Sequence, residues 1–339
     1  MASSAPSKPS PENIFSTLIS YQKAYMLKAA IELDLFTAIA EGAHEAAALA
    51  RRVGGSERGV RILADGLTVE GFLQKGNGRY SLAPESALFL DKRSPAYMGG
   101  MAEFLTSEEN VRNFSRFADC VRKGGTVSEI GDNSKPVDHR WVSFARSMAS
   151  MAAPMAGVLS QIVNANPAGD THILDIAAGH GMYGITVAKN NPHVRVTALD
   201  WAPVLEVASE NARKAGVAER YSLRPGSAFD TDLGNGYDYV FVTNFLHHFD
   251  VPTNEMLLGR FHAALKPGGK VVTVEFVPNE DRVSPPMAAS FSLLMLAYTD
   301  AGDAYTFPEY EKMFQNAGFR KCTFQQIPDL PQRLVIGEK

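Results

Sequence analysis

Residues 171–200 constrain the fold of this chain more than any other part of its sequence. The apolar run Ile173 to Ile176 is followed at once by a turn of small residues, Ala177 to Gly181. A short apolar run bounded by glycine predicts a buried strand. A helix is predicted over about Met182 to Asn190, and a second apolar run ends at Asp200. Strand, glycine-rich turn, helix and strand in this order predict a parallel α/β sheet.

The small residues of this turn predict a place where a ligand can lie against the backbone. Gly179 and Gly181 carry no Cβ and take positive φ readily, and the helix that follows begins with amide N–H groups that lack intrahelical partners. Asp200, at the end of the second strand, is placed to accept both hydroxyls of a ribose. A dinucleotide site would need the spacing G-x-G-x-x-G, which this turn lacks. A cofactor without phosphate and an ordinary turn without a ligand are the two interpretations left.

Strands and helices go on alternating after Asp200, as expected for a parallel sheet with helices on both faces. Ligands of such sheets bind beyond the carboxyl ends of the strands. The polar residues predicted at those ends are Asp175, Asp200, Ser227, Asn244, His247 and Glu275. Later predicted elements are a helix over 256–265, a strand over 270–276, helices over about 288–300 and 307–317, and a hairpin of 322–327 with 333–337.

The N-terminal part predicts a second, helical unit, since 339 residues exceed what one core usually covers. Residues 14–41 carry apolar side chains at helical spacing on more than one face, which is typical of a segment that is buried or pairs with another chain. A helix over 46–53, a helix capped by Ser56 and a hairpin over 71–82 follow. Two helices and a hairpin form a winged-helix pattern.

A winged helix can bind DNA or mediate dimerisation, and charge separates the two interpretations. The candidate recognition segment, residues 56–71, holds two arginines and three acidic residues, a net charge of −1. The whole chain has a net charge of −4. Phosphate binding needs clustered Lys and Arg. The composition therefore argues against nucleic acid as a partner and favours dimerisation.

Residues 109–164 are predicted to be largely helical, with interruptions near 124–125 and 131–136. Within this region, Phe144, Met148, Met151 and Met155 follow one another at spacings of three and four. Such a stripe is typical either of core packing or of an adaptable pocket wall, because methionine packs well against aromatic rings. Both interpretations stay open from the pattern alone.

Two further features bear on the compartment in which the protein works. Cys120 and Cys322 are the only cysteines and lie far apart, as expected for reduced thiols of a cytoplasmic protein. Residues 1–12 contain no apolar core of a signal sequence and predict a disordered tail, and no apolar run of 18 residues predicts a membrane span. We expect neither export nor membrane insertion.

Taken together, these segments resemble the class I S-adenosylmethionine-dependent small-molecule O-methyltransferases of the acetylserotonin, caffeate and hydroxyneurosporene type. The resemblance covers nearly all of residues 14–339 and is closest to bacterial and cyanobacterial members. The segments that carry it are LDIAAGHG (174–181), ALDW (198–201), GSAF (226–229), NFLHHF (244–249), KPGGKVVTVEF (266–276) and NAGF (316–319). The turn itself reads D-x-A-x-G-x-G, which is similar to the family's motif E/D-x-G-x-G-x-G with Ala177 at the first glycine.

The resemblance implies a fold and a domain order. We expect a Rossmann-like methyltransferase domain with a mostly parallel seven-stranded sheet and helices on both faces, preceded by an α-helical, winged-helix-like dimerisation domain. The implied boundaries are a tail over 1–12, the dimerisation domain over 13–108, linking helices that form a pocket wall over 109–164, and the cofactor-binding domain over 165–339. A homodimer through the N-terminal domain is implied as well.

The resemblance also implies which residues form the site. His247 matches the general base, and Glu275 matches a glutamate that orients it. The implied cofactor residues are Asp175, Ala177, Gly179, Gly181, Asp200, Trp201, Ser227, Ala228, Phe229 and Asn244, with Asp200 on the ribose and Trp201 and Phe229 beside the adenine. The expected substrate pocket comprises Phe104, Phe144, Met148, Met151, His248, Met287, Phe291, Met295 and Tyr298.

Besides Ala177, four positions depart from the family's pattern. Ser227 and Asn244 replace a usual aspartate and a usual lysine near the cofactor, and His248 replaces the aspartate after the base. A second glutamate, expected in the motif G-x-E-R-T, is missing from residues 302–306, where Ala304 stands. Without that carboxylate, methyl transfer to nitrogen or carbon, or a use of the bound cofactor without methyl transfer, stays open.

The expected chemistry needs mainly geometry. The methyl group of S-adenosylmethionine is already activated by its sulfonium, so transfer requires a well-placed nucleophile and a base for the hydroxyl proton. A histidine can act as that base at neutral pH. The apolar pocket predicts an aromatic or polyketide-like acceptor. S-adenosylhomocysteine is the implied product, and no metal is expected.

Overall fold

The computed structural model describes residues 9–128, 138–164 and 169–339. The chain divides into two compact units, Met1–Asn110 and Val111–Lys339. The first eight residues of the predicted tail and the interruption predicted at 131–136 lie outside the described residues.

The N-terminal unit is helical with one β-hairpin. Its elements are α1 (Glu12–Leu18), α2 (Ser20–Glu32), α3 (Leu35–Ala40), α4 (Ala46–Val53), α5 (Glu57–Val69), β1 (Leu73–Gly76), β2 (Arg79–Leu82), α6 (Pro84–Phe89) and α7 (Gly100–Leu105), and the boundary between the units falls within α8 (Glu108–Ser115). Three helices take the place of the single segment predicted over 14–41, because the chain turns at Ile19 and adopts a left-handed conformation at Asp34, with φ of 57°. Ser56 caps α5 as predicted, and its hydroxyl accepts the N–H of Gly59.

The hairpin is fastened to α5 by both apolar and polar contacts. Tyr80 is buried in the core of this unit with Leu67 and Leu73, and its hydroxyl donates to Oδ1 of Asp65 at 2.7 Å. The first helices, by contrast, expose apolar side chains. The exposed large residues of α1 and the start of α2 are Ile14, Phe15, Leu18, Ile19 and Tyr21.

The C-terminal unit is a seven-stranded sheet with helices on both faces. After α8 its helices are α9 (Phe117–Lys123), α10 (Asp138–Met148), α11 (Ala153–Asn164), α12 (Met182–Asn190), α13 (Ala202–Lys214), α14 (Val251–Ala264), α15 (Pro286–Tyr298) and α16 (Phe307–Asn316). Its strands are β3 (Thr171–Ile176), β4 (Val194–Asp200), β5 (Tyr221–Pro225), β6 (Tyr237–Thr243), β7 (Leu265–Glu275), β8 (Lys321–Gln326) and β9 (Arg333–Glu338). Short 3₁₀ turns lie at Ala149–Ala152, Ala218–Arg220 and Leu246–His248.

The order of the strands confirms the predicted fold class. The sheet runs β5-β4-β3-β6-β7-β9-β8, and pairing is parallel from β5 to β7 and antiparallel at β9 and β8. From β3 the chain first builds outward to β4 and β5, then returns to β6 on the other side of β3. Ligands of open α/β sheets bind in the crevice at this point, beyond the carboxyl ends of the strands.

Three predicted elements have other bounds in the structure. The methionine stripe does not lie on one helix, because the 3₁₀ turn Ala149–Ala152 separates α10 from α11. The helix predicted over 256–265 begins earlier, at Val251, since the carboxylate of Asp250 caps it by accepting the N–H of Thr253 at 3.0 Å. Strand β7 begins at Leu265 rather than at residue 270.

None of the helices in the described ranges is long and apolar enough to cross a membrane.

Candidate functional site

The predicted polar residues gather at the carboxyl edge of the sheet. Asp175 lies near the end of β3 and Asp200 ends β4, whereas Glu275 ends β7. Ser227 follows β5, and Asn244 and His247 follow β6. Strand alternation alone predicted that these six residues lie at the ends of the strands or in the loops that follow them.

The turn after β3 has a left-handed backbone at three of its residues. Ala177, Gly179 and Gly181 have φ of 50°, 56° and 72°. The N–H of Gly179 donates to Oδ2 of Asp200 at 2.8 Å, which ties the turn to the end of β4. A Cβ added at Gly179 would meet only the carbonyl oxygen of Ala177, at 3.8 Å, so space for a ligand lies next to this backbone.

One fully buried carboxylate, Asp175, and one half-buried carboxylate, Asp200, lie next to the turn. Oδ2 of Asp175 accepts the N–H of Gly184 at 3.3 Å, and its Oδ1 is buried without a hydrogen-bond partner among the described residues. Burial and the nearby charge of Asp200 raise the pKa of Asp175 to about 7. Burial likewise raises the pKa of Asp200 to about 6, against the lowering effect of the N–H groups of Gly179 and Trp201. Both groups ionise near neutral pH instead of well below it.

Glycine at position 184 was not among the residues singled out from the sequence. A Cβ there would lie 2.9 Å from both Oδ2 of Asp175 and Cγ1 of Val196. Gly184 therefore lets α12 approach the strands closely enough for its N–H to reach Asp175. Its place one turn into the helix after a glycine-rich turn is the signal that could have identified it.

Asn244 links the loop after β6 to the helix after β3. Its backbone is left-handed, with φ of 51°, and its N–H donates to the carbonyl of Val274 at 2.8 Å. Its side-chain amide donates to the hydroxyl of Tyr183 at 3.3 Å, and Oδ1 is buried without a hydrogen-bond partner in the described part of the chain. Burial raises the pKa of Tyr183 to about 12, so this hydroxyl stays protonated. Sequence reasoning missed Tyr183.

The loop after β5 is ordered by its own side chains. Oγ of Ser227 accepts the N–H of Phe229 at 3.2 Å, and the N–H of Ser227 donates to the hydroxyl of Thr231 at 2.8 Å. Ala228 is buried. Phe229 packs edge-on against Phe249, with ring centroids 5.2 Å apart. Trp201 lies directly before α13. It packs against a small apolar cluster that includes Ala145 of α10.

Glu275 holds the loop that carries His247. This carboxylate is fully buried. Its Oε1 accepts the N–H groups of Phe245 and Leu246, each at 2.9 Å, and its Oε2 lies 2.5 Å from Nδ1 of His247. Since a carboxylate accepts and the ring nitrogen donates, this contact leaves the lone pair of the imidazole on Nε2.

Aromatic rings continue on both sides of His247. Its ring centroid lies 4.8 Å from that of Phe291 and 4.3 Å from that of His248. Phe291 stacks on Phe276 at 4.1 Å, and His248 lies 5.9 Å from Trp141. We call the row of Phe276, Phe291, His247, His248, Trp141 and Phe144 the aromatic row; its last two members are 5.7 Å apart. It joins α15, the loop after β6 and α10.

The remaining residues of the predicted pocket differ in exposure. Met295 is buried, and Phe144 and Met148 are half-buried. Met151 and Met287 are 41% and 62% exposed. Tyr298 lies on α15 with its ring 6.1 Å from that of Phe114. Phe104 belongs to α7 of the N-terminal unit.

Ala304, at the position of the missing second glutamate, is not accessible to solvent. Its N–H approaches Oγ of Ser292 at 3.4 Å. Next to it, the hydroxyl of Tyr305 donates to the carbonyl of Phe249 at 2.5 Å. The contact of Tyr305 with Phe249 fastens the loop after His247. Among the residues described, no cluster of three or more His, Cys, Asp or Glu side chains could hold a metal ion.

Comparison with known families matches both units. Residues 132–320, more than half of the chain, match the O-methyltransferase domain. Residues 16–92 match the O-methyltransferase dimerisation domain.

Individual relatives extend over most of the chain. The 3-hydroxy-5-methyl-1-naphthoate 3-O-methyltransferase of Streptomyces sahachiroi is 29% identical over 299 residues, which cover 87% of this chain and 86% of the relative. A crystal structure of a protein from Nostoc punctiforme, described as a candidate O-methyltransferase, has 46% identity and a TM-score of 0.93 over 98% of this chain and 100% of its own. Human N-acetylserotonin methyltransferase in complex with SAM shares the fold, with a TM-score of 0.85 at 21% identity over 99% of each chain.

Proposed function

This chain belongs to the O-methyltransferase family, and from that premise we propose that it methylates a hydroxyl of a small aromatic molecule with His247 as the general base. The family acts on small molecules with S-adenosylmethionine as the methyl donor, so the proposal concerns the acceptor and the residues. The contact between His247 and Glu275 is the single observation that carries it.

The residues at the crevice fit the cofactor. Oδ1 of Asp175 and Oδ1 of Asn244 are buried polar atoms for which the described residues provide no hydrogen bond, and space lies beside Gly179. An unpaired buried polar group is costly, so a polar ligand at this place would be favoured. We assign Asp175, Ala177, Gly179 and Gly181 to the cofactor loop and Asp200 to the ribose.

The adenine would lie between the loops after β4 and β5. Trp201 and Phe229 offer the flat faces there, and Ala228 is small enough to leave room between them. The hydroxyl of Ser227 accepts the N–H of Phe229 and so orders the loop, and we assign the same hydroxyl to the adenine. This differs from a carboxylate at the same position, because a hydroxyl can both donate and accept.

Glu275 prepares His247 for proton transfer. By holding the proton on Nδ1, it keeps Nε2 available to take the proton of the attacking hydroxyl, and its charge stabilises the imidazolium that results. S-adenosylmethionine, when bound, supplies a methyl group activated by its sulfonium and leaves as S-adenosylhomocysteine once the O–CH₃ bond has formed. The buried surroundings of the two side chains exclude water that would compete for the proton.

The aromatic row supports a flat, apolar acceptor. Phe291 and Trp141 lie on either side of the two histidines, and Met295 and Met148 are further apolar residues proposed for the same pocket. A relative acts on a naphthoate, a fused aromatic ring system. We extend that acceptor class to this chain.

A screen of hydroxylated aromatic acceptors with S-adenosylmethionine, followed by mass spectrometry and NMR of the products, tests the proposal. We expect one added methyl group, bound to oxygen, and no product when S-adenosylhomocysteine replaces the donor. Methyl groups found only on nitrogen or carbon would contradict the proposed atom. Cofactor binding without any methylated product would contradict the proposed activity.

We also assign the N-terminal unit to a homodimer. It matches the family's dimerisation domain, and α1 exposes an apolar surface. A DNA-binding use of its winged-helix pattern is the alternative, and it predicts binding that weakens steeply with salt. The net charge of −1 on residues 56–71 speaks against that alternative.

A further inference from the structure

Hydrogen bonds hold both sides of the backbone that carries the proposed base. We call residues 245–249 the base turn. Glu275 accepts two of its N–H groups. On the carbonyl side, Nδ2 of Asn254 donates to the oxygen of Leu246 at 2.9 Å and to that of Phe249 at 3.2 Å. The base turn is therefore held by an acceptor on its N–H side and by a donor on its carbonyl side.

Tyr305 adds a second donor on the carbonyl side. This side chain is buried, and its hydroxyl donates to the carbonyl oxygen of Phe249 at 2.5 Å. Burial raises the pKa of Tyr305, so the hydroxyl stays protonated at neutral pH. A carbonyl oxygen has two lone pairs, and Tyr305 and Asn254 together use both at Phe249. Phe249 is two residues from His247, so these bonds fix the backbone close to the base.

The segment that follows α15 packs directly on the base turn. A Cβ added to Gly302 would overlap the carbonyl oxygen of His247 and would lie 2.9 Å from the carbonyl carbon of His248. The N–H of Gly302 donates to Oγ1 of Thr299 at 2.8 Å, and that hydroxyl donates to the carbonyl of Met295 at 2.7 Å. Since Met295 belongs to α15, the segment contacts α15 at one end and the base turn at the other.

These contacts fix the spacing between the base and the proposed acceptor pocket. Phe291, another residue of α15, has its ring 4.8 Å from that of His247. A displacement of about 1 Å in a catalytic group can lower a rate about 10²-fold. Residues 299–305 are therefore placed to keep the base at a constant distance from the pocket wall.

We propose that Tyr305 is a positioning residue for methyl transfer, which holds the base turn, and with it His247, through its hydrogen bond to Phe249. This inference rests on the proposed function and adds a residue that acts through the backbone. The family's second glutamate orients the histidine itself, whereas Ala304 stands at that position here. One residue later, a neutral hydroxyl holds the turn instead.

Tyr305→Phe removes the hydroxyl and keeps the ring. The carbonyl of Phe249 retains its bond from Asn254, so we expect the variant to fold. With the acceptor that the wild type methylates best in the screen, kcat should fall about 5- to 50-fold because the base is displaced. KM for the acceptor and the affinity for S-adenosylhomocysteine should stay within about twofold of the wild type, because the proposed pocket and cofactor residues are unchanged.

Tyr310→Phe is the matched control. Tyr310 is fully buried, its ring centroid lies 5.8 Å from that of Tyr305, and its hydroxyl has no hydrogen-bond partner among the described residues. The same atom is thus removed from the same region without loss of a bond to the base turn. We expect kcat of this variant to stay within about twofold of the wild type. An equal fall in both variants would indicate a general packing effect and overturn the inference.

The proton between His247 and Glu275 provides a readout that needs no acceptor. Nδ1 and Oε2 are 2.5 Å apart, and the proton of such a short, charge-assisted hydrogen bond resonates far downfield. Its absence from His247→Ala assigns the resonance. With S-adenosylhomocysteine bound, we expect Tyr305→Phe to shift or broaden it and Tyr310→Phe to leave it in place. A purely structural role of Tyr305 would lower the melting temperature and leave the resonance unchanged.

A cycle of two substitutions tests whether Tyr305 acts through His247. In the His247→Ala background, Tyr305→Phe should lower the remaining rate by less than about twofold, since no base is left to position. The full 5- to 50-fold loss in that background would show that Tyr305 acts by another route, and it would overturn the inference.

The outcomes distinguish the inference from the proposed function. A Tyr305→Phe variant with wild-type kcat and an unchanged downfield resonance would overturn the role of Tyr305 and leave O-methylation with His247 as the base intact. Absence of methylated product from every acceptor, with S-adenosylhomocysteine still bound by the wild type, would overturn both.

Discussion

Oε2 of Glu275 lies 2.5 Å from Nδ1 of His247, while Oε1 of the same carboxylate accepts the N–H groups of Phe245 and Leu246. One buried side chain thus fixes both the position of the loop and the tautomer of the ring. Holding the loop needs an oxygen that accepts the two N–H groups. Fixing the tautomer of His247 needs a group that does not donate to Nδ1.

Glu275→Gln separates the two effects. The glutamine oxygen can still accept the two N–H groups, but its amide nitrogen would donate to Nδ1 and drive the ring proton to Nε2. We expect kcat to fall about 10²- to 10⁴-fold, because Nε2 can then no longer accept the hydroxyl proton. Initial rates with an acceptor that the wild type methylates measure this loss. An unchanged melting temperature would show that the loop is intact. A variant with normal kcat would exclude the orienting role of Glu275.

Ala177 has a left-handed backbone, with φ of 50°, at a position where the family's motif has glycine. Such a conformation costs a non-glycine residue about 1–2 kcal/mol, whereas glycine loses about 0.5–1 kcal/mol more chain entropy on folding. We expect Ala177→Gly to raise the free energy of unfolding by about 0.5–1 kcal/mol, measured by urea denaturation. Gly179→Ala is the matched control, because φ is 56° there and the added Cβ meets no closer atom than 3.8 Å. It should destabilise by a similar amount; a destabilising Ala177→Gly would refute the account of this turn.

Asp200 should make cofactor affinity depend on pH. Burial raises its pKa to about 6, and ribose hydroxyls donate to the ionised form. Ionisation of Asp200 is therefore unfavourable in the free protein, and bound cofactor stabilises the ionised form. We expect the affinity for S-adenosylhomocysteine to be constant above the pKa and to fall as the pH decreases through about 6. Calorimetry in two buffers of different ionisation enthalpy should detect proton release near that pH. Asp200→Asn should bind more weakly without this pH dependence, and a wild type insensitive to pH between 5 and 8 would contradict the assignment.

The exposed residues of α1 should be buried in a dimer. Phe15 and Leu18 are 63% and 67% exposed. Charges placed in an apolar interface lose hydration without gaining partners. We expect the double substitution Phe15→Glu and Leu18→Glu to reduce the mass from light scattering from a dimer to a monomer. Val283→Glu, at a residue of the C-terminal unit that is 73% exposed, should leave the dimer unchanged. A monomeric wild type would contradict the interface.

The alternation of β3, α12 and β4 could be predicted because its signals are local. Apolar runs and glycines set the bounds of these elements, and α12 occupies Met182–Asn190 as expected. The start of α14 was missed although Asp250 and the proline after Val251 are typical of a helix N-terminus. No glycine marks the break at Asp34, so the sequence predicted one helical segment over 14–41 where the structure has α1, α2 and α3.

The contacts of the site depended on tertiary structure. The alternation of strands and helices predicted that Glu275 and His247 lie at the carboxyl ends of strands, and the family resemblance implied that the glutamate orients the histidine. The sequence could not predict that one carboxylate oxygen would accept two N–H groups, nor that Asn244 would reach Tyr183 across the crevice. These contacts depend on side-chain directions and on left-handed turns at Ala177 and Asn244. Asparagine is enriched in the left-handed region, but alanine carries no local signal for it.

The single-turnover rate of methyl transfer in His247→Ala, with S-adenosylmethionine and acceptor both saturating, tests the account most directly. We predict a rate at least about 100-fold below that of the wild type, with the affinity for S-adenosylhomocysteine nearly unchanged, because the base is lost and the cofactor residues are not. A rate equal to that of the wild type would show that the hydroxyl proton leaves by another path and would contradict the central claim.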